Sequence, residues 1–233
     1  MTDADSRLSK LILAHATLSA ALNLFASIRD RGFRNALTLF VLGVGLPAIG
    51  ERLATGPLKL LRHRTRPRIA GVPLGILLGW YCAINGSLTV AERILARLSI
   101  DRRRRRIALP LRAAVVAVSL DLALDPFGLD AGLWEWRSNG LYAADVEGAN
   151  GRTGVPAVNY LGWLALVWSV VHVHERLSRD GDCSAGSRVP GLLLLPYYLA
   201  AVAWAIRRRK YRYLLYSVVF PVALVTSLKD PNR

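Results

Sequence analysis

The apolar positions of this chain fall in blocks, not in stripes. Seven blocks stand out, each of about 18–21 residues: roughly Leu11–Ile28, Phe33–Gly50, Ala70–Val90, Ile107–Leu124, Val155–Val173, Val189–Ile206 and Tyr211–Leu228. At a rise of about 1.5 Å per residue, such a block crosses a hydrocarbon layer about 30 Å thick. The helices of a soluble domain keep a polar face along their length. Here the charges sit between the blocks, at Arg29, Arg31 and Arg34, at Arg62, Arg64, Arg66 and Arg68, at Arg102 to Arg106, and at Arg207 to Lys210. The pattern predicts an all-α polytopic membrane bundle of about seven transmembrane helices, forming a single integral membrane domain over 1–233. Lys10 and His15 weaken the first block and Arg112 the fourth, so the expected count runs from six to eight.

Composition agrees. Of 233 residues, 53% are hydrophobic and 20% charged, with 31 Lys and Arg against 16 Asp and Glu and a net charge of +15. A chain so rich in apolar residues is not disordered. Nor is it a disulfide scaffold, since Cys82 lies in an apolar block and Cys183 in a polar loop. The basic run Arg102–Arg106 suggests nucleic acid, but between two spans it reads as a membrane-proximal loop that fixes topology and touches anionic headgroups. Lys and Arg divide evenly, 15 on each side of a seven-helix arrangement with Arg112 left out, so charge assigns no orientation. The opening MTDADSRLSK has neither a basic n-region nor a small-residue cleavage site, and the first helix is expected to act as the insertion signal.

Two segments nearly repeat, GVPLGILLGW at Gly71–Trp80 and GVPAVNYLGW at Gly154–Trp163, 83 residues apart. Each opens an apolar block, where a proline such as Pro73 or Pro156 costs no helical hydrogen bond. Each follows a polar loop and a helix ending in acid: Glu51 in the first case, Asp121 and Asp125 in the second. The pairing of helices 2–3 with 4–5 predicts a parallel internal repeat with a pseudo-two-fold axis along the membrane normal. Its consequence is that Glu51, Asp121, Asp125, the loop Gly128–Gly154 and both GVP turns gather on one face.

Asp121 and Asp125, four apart, share one face of a helix. Pro126 follows at once and is expected to weaken or end that helix. Ionisable residues inside a membrane segment are costly and mark functional candidates. The alternative is that one carboxylate pairs structurally with Arg112, Arg137 or Arg152. Two carboxylates held close at low dielectric favour one protonated and one ionised group. Trp134, Trp136, Tyr142, Tyr160, Trp163, Trp80 and Tyr81 crowd the same region, either as an interfacial belt or as π faces that stabilise a carbocation. His172, His174 and Glu175 end the fifth block on the opposite face and read as a snorkelling interfacial cluster, not a metal site; His15 and His63 stand isolated. With no HExxH, CxxC, GxSxG or phosphate-cradling loop, no metal is expected, and the chemistry falls to acids, amides, aromatics and water.

The strings ER-x-x-TG (Glu51–Gly56), RPRIAGVPLGILLGW (Arg66–Trp80), DLALDPFGLDAGLWEW (Asp121–Trp136) and EGANGRTGVPAVNYLGW (Glu147–Trp163) resemble the carotenoid biosynthesis membrane proteins that include the carotenoid hydratases. The resemblance covers 50–163, a family-like catalytic core. The RHRTRP stretch and the EGANG loop look more like the archaeal-type bisanhydrobacterioruberin hydratases, whereas the Tyr-x-Tyr segment of many bacterial relatives is missing from Leu58–Arg66. The resemblance implies addition of water across terminal C=C bonds of an acyclic carotenoid end group, C50 bisanhydrobacterioruberin-like or C40 lycopene- or γ-carotene-like, without a cofactor. It implies a multi-pass cell-membrane enzyme whose partners are a polyene, lipid and other carotenoid biosynthesis enzymes, with no nucleic acid. Asp121 is the expected proton donor, with Asp125 or Glu51 orienting water. Asn159 would supply a hydrogen bond, and Trp80, Trp134, Trp136, Tyr142 and Trp163 would line the polyene end. Gly71, Pro73, Pro126, Gly154 and Pro156 are expected as structural turns. A carotenoid cyclase or isomerase would share the carbocation logic, and a membrane transporter or scaffold would need a polar path between the two faces.

Overall fold

The computed structural model describes residues 3–98, 100–178 and 187–229; Cys183 lies outside the described residues. Helix α1 (Asp3–Thr55) is followed by strands β1 (Leu61–His63), β2 (Arg68–Ile69) and β3 (Val72–Pro73) and by α2 (Leu74–Leu95). Helix α3 (Arg102–Asp130) then leads through β4 (Trp134–Trp136), β5 (Tyr142–Glu147) and β6 (Thr153–Val155) to α4 (Ala157–Leu177). Helices α5 (Val189–Leu192), α6 (Leu195–Arg207), α7 (Arg212–Tyr216) and α8 (Val219–Leu228) complete an all-α bundle. Among the described residues, five helical segments are long and apolar enough to cross a membrane: Ser9–Thr55, Leu74–Leu95, Arg103–Asp130, Ala157–Leu177 and Val189–Arg207.

The first two apolar blocks form one helical stretch, α1, broken at Gly32, where φ is 77° and ψ 158°. That backbone is open to glycine and strained for any residue with a Cβ. The break turns the chain back on itself. Leu11 and Ile12 before it line the same cavity as Glu51 after it, and α2 meets both arms, Asn23 through Asn85 and Gly43 through Tyr81. Six of the seven blocks thus hold helix long enough to cross, the third and fifth after a short strand and the sixth as α5 run on into α6. The seventh does not: it breaks between α7 and α8, and the ten residues of α8 rise only about 15 Å.

A second departure concerns Pro126. Helix α3 continues past it to Asp130. Proline removes the N–H that would bond the carbonyl four residues back, here that of Leu122. The Tyr142 hydroxyl donates to that carbonyl at 2.6 Å and replaces the missing bond.

The repeat is visible in the backbone. Gly71 and Gly154 have φ of 86° and 75°. Pro73 and Pro156 precede the first turns of α2 and α4 with φ, ψ of −62°, 134° and −64°, 137°. The loops ahead of them join one another, because β1 of the first loop pairs antiparallel with β4 of the second. Helix α2 lies at the centre: Tyr81, Ile84 and Leu88 are buried with Leu39 of α1, Leu109 and Ala113 of α3 and Val170 of α4. A second cluster packs α3 against α6 and α8 through Leu120, Tyr198, Phe220 and Leu224.

One inner surface is polar, contrary to the block pattern. Along α1 the residues His15, Ser19, Asn23, Ser27, Arg31 and Asn35 recur every fourth position, and Ser19 to Asn35 of this series are buried. They face α2, where Asn85 donates to Asn23 Oδ1 and to Ser27 Oγ, both at 2.9 Å. The Arg31 guanidinium holds Glu92 through two bonds of 2.5 and 2.6 Å, both side chains at most 5% exposed. Such bonds join helices where no water competes. His174, expected to snorkel, is instead fully buried beside the Asn35 carbonyl at 3.3 Å; His172 stacks on Trp168.

Candidate active site

A cavity of about 360 Å³ opens where the two repeats meet. Its walls are apolar and aromatic, and its polar groups are few: Glu51 at the end of α1, Asp121 and Asp125 on α3, Asn159 on α4, and His15, His63, Thr65 and Tyr197. The two helices that carry the acids end on the same side as the two GVP turns begin, so all four elements converge.

Asp121 and Asp125 are each 3% exposed. Neither makes an ion pair with Arg112, Arg137 or Arg152 among the described contacts; both accept hydrogen bonds from the same amide. Asn159 Nδ2 donates to Asp121 Oδ2 at 3.0 Å and to Asp125 Oδ2 in a shorter contact. The geometry follows from helix periodicity. Residues four apart on α3 stack on one face, and Asn159, one turn into α4 behind the Pro156 cap, reaches both. One amide group has two N–H bonds, so a single side chain sets the spacing of the two acids.

Glu51 has both oxygens engaged. Trp80 Nε1 donates to Oε1 at 2.9 Å, and His63 Nε2 lies 2.7 Å from Oε2. His63, read from the sequence as isolated, is only 5% exposed. The signal for it was its place in the run Leu61–Arg66, where apolar or small residues alternate with arginines. As a strand, this puts Leu61, His63 and Thr65 on one face and Arg62, Arg64 and Arg66 on the other. Pairing with β4 sets Leu61 opposite Trp136, Arg62 opposite Glu135 and His63 opposite Trp134. Directly opposed residues share a face of the sheet, so His63, Trp134 and Trp136 turn together toward the cavity.

The tryptophans of the two LGW segments meet. Trp80 and Trp163 stack with ring centroids 3.8 Å apart and planes 25° from parallel. Trp134 packs onto α3 over Gly128; a Cβ there would fall 2.1 Å from its ring. Glycine is therefore the residue that lets this ring reach the wall. His15 also lines the cavity, its ring 4.7 Å from that of Tyr197, so it too is not isolated.

Of the residues singled out from the sequence, the structure brings Glu51, Asp121, Asp125, Trp80, Trp134, Trp136, Asn159 and Trp163 to one cavity. Tyr142 is not among its lining residues. It stands behind α3, its ring edge-on to Tyr160 and Tyr213, and burial together with Tyr213 and the two acids pushes its phenol well above the ordinary range. Gly71, Pro73, Gly154 and Pro156 shape the turns outside the cavity, and Pro126 lies within α3.

No curated protein and no solved structure matches the chain. With residues 11–227 matching the family described as carotenoid biosynthesis protein, the chain belongs to that family.

Proposed function

We propose that this member of the family is a cofactor-independent hydro-lyase of the cell membrane, multi-pass, that adds water to terminal C=C bonds of an acyclic carotenoid end group. Both C40 lycopene- or γ-carotene-like and C50 bisanhydrobacterioruberin-like ends fit the reading. The observation that carries it is the Asp121–Asp125 pair, tied by one amide into the wall of an otherwise apolar and aromatic cavity. A volume near 360 Å³ suits an end group rather than a whole polyene, and the rest of the chain extends toward lipid.

Hydrating a trisubstituted alkene needs a proton donor, a dry pocket and a positioned water. Asp121, in its protonated state, gives its proton to the less substituted carbon; the C–H bond forms as the π bond breaks and a tertiary cation remains. The faces of Trp80, Trp134, Trp136 and Trp163 present the negative side of their quadrupoles to that charge. A water oriented by Asp125 or by Glu51 forms the C–O bond and loses a proton to the carboxylates, which restores the pair. His63 holds Glu51 in place from behind. No electron leaves or enters, so acids and water suffice for the balance.

The test is Asp121→Asn in the purified protein, assayed on an acyclic carotenoid in lipid. Hydration should fall by roughly 10²- to 10⁴-fold, the usual contribution of a general acid, with helicity and elution unchanged. Full activity in that variant would sink the assignment of Asp121.

A further inference from the structure

Behind the His63–Thr65 wall lies a second, polar pocket of about 230 Å³, lined by Ser9, Arg62, His63, Arg64, Thr65, Arg66, Arg68 and residues 131–133. The alternation that turns His63 and Thr65 inward turns Arg62, Arg64 and Arg66 outward, about 7 Å apart along the strand. Arg68 comes back underneath, its guanidinium bonded to the carbonyls of His63 and Thr65. Four guanidiniums thus surround one concavity, and the carboxylate among them is Glu135, 3.1 Å from Arg64 and 4.0 Å from Arg62. Burial and the neighbouring Arg66 and Arg62 pull the Arg68 guanidinium below its ordinary value. Four guanidiniums against one carboxylate leave a surplus of positive charge at one concave place, which describes a missing anion.

We propose that this pocket binds a phosphoryl group. The planar fork of arginine matches phosphate oxygens two at a time, and a tetrahedral anion presents enough oxygens for several guanidiniums together. The pocket stands at the ends of α1 and α3 that hold the cavity. A membrane-lipid headgroup and a soluble phosphate or diphosphate share this chemistry, and either would sit across His63 from Glu51.

The full-length protein, purified in detergent and depleted of lipid, supplies the test. Arg62→Gln with Arg66→Gln removes two guanidiniums and leaves the Arg64–Glu135 and Arg68 bonds in place. Arg103→Gln with Arg106→Gln removes equal charge from the exposed basic run of α3. Binding is read by native mass spectrometry for phosphatidylglycerol and phosphatidylcholine, and by titration for inorganic phosphate and pyrophosphate. Loss of two charge-assisted contacts should weaken one-to-one binding at least about tenfold in the first variant, and the second should stay within about twofold of wild type. Selective retention of phosphatidylglycerol, with pyrophosphate unable to compete, identifies a headgroup. Pyrophosphate binding without lipid identifies a soluble ligand. Should the first variant fail to fold, protection of Arg62 and Arg66 from phenylglyoxal in the wild-type protein decides the matter. Equal weakening in both variants, or no protection by either ligand, overturns the proposal.

Discussion

Replacing Asn159 by leucine tests the arrangement of the site, because the change keeps the branched outline of the side chain and deletes its donors. In the native protein one amide group donates to Asp121 Oδ2 and to Asp125 Oδ2. Such a bond contributes roughly 0.5–1.5 kcal/mol to a neutral acceptor, as Asp121 is when protonated, and roughly 1.5–3 kcal/mol to an ionised one. Both acids are 3% exposed, so water does not simply replace the lost donor. If both bonds set the geometry of the reacting pair, their joint loss of about 2–4.5 kcal/mol lowers the hydration rate roughly 30- to 2,000-fold. Asn159 itself is only partly buried, and the helix cap at Pro156 is untouched. Folding should therefore survive at a cost of about 1–3 kcal/mol, the penalty for an unanswered polar group. The assay is kcat/KM for water addition to an acyclic carotenoid in proteoliposomes, beside circular dichroism and the thermal midpoint. A folded Asn159→Leu protein with a rate within about threefold of wild type would refute the idea that this amide organises the acids.

The Arg31–Glu92 pair inside the bundle should behave as a unit. Removing either partner alone (Arg31→Gln or Glu92→Gln) leaves a buried charge and costs roughly 3–5 kcal/mol, whereas Arg31→Met with Glu92→Leu recovers most of that loss; unfolding in mixed micelles measures all three, and additive single costs would contradict the reasoning. Tyr142→Phe removes the donor that answers the Leu122 carbonyl above Pro126, and should cost about 1–3 kcal/mol and slow hydration by shifting the turn that carries Asp121 and Asp125; an unchanged rate and midpoint would mean the bond is idle. Asp145 holds the end of the loop against α7: burial opposes its charge, but bonds from Lys210, Tyr213 and Arg212 keep its carboxyl well below the usual carboxylate range. A depressed folded-state value means that its stabilisation is full above the unfolded value near 4 and is lost as pH falls below it. Thermal midpoints of wild type should therefore approach those of Asp145→Asn in acid, and parallel curves from pH 7 to pH 3 would remove this role.

Much of the architecture could be read from the sequence because lipid-sized apolar blocks leave a coarse signal. The convergence of acids and GVP turns was legible for a topological reason: equivalent helices an even number of crossings apart end on the same face. What stayed hidden depended on contacts between elements. The reversal between the first two blocks was marked by Arg29, Arg31 and Arg34, but not that a single residue, Gly32, makes it with helix on both sides. The seam of Ser19, Asn23, Ser27 and Arg31 was present at every fourth position, yet serine and asparagine among alanines and leucines scarcely lower the hydropathy of a block. Pro126 looked like a helix end because its rescue comes from Tyr142, which lies beyond the reach of any local rule, twenty residues after the Leu122 carbonyl it answers. The same bond moved Tyr142 from the cavity wall to a support behind it. His63 was overlooked because a strand of three residues inside a loop carries little periodicity, and only its pairing with β4 shows which way it faces.

The most direct measurement is the mass of the product. Wild-type protein and Asp121→Asn are to be expressed in parallel in hosts that accumulate lycopene or bisanhydrobacterioruberin, grown in ordinary and ¹⁸O-labelled water. Hydration predicts pigments heavier by about 18 mass units per end group, by about 20 in labelled water, and none of either with Asp121→Asn. A wild-type product of unchanged mass but altered retention would instead mark a cyclase or isomerase, and no new pigment from either substrate would contradict the hydratase account.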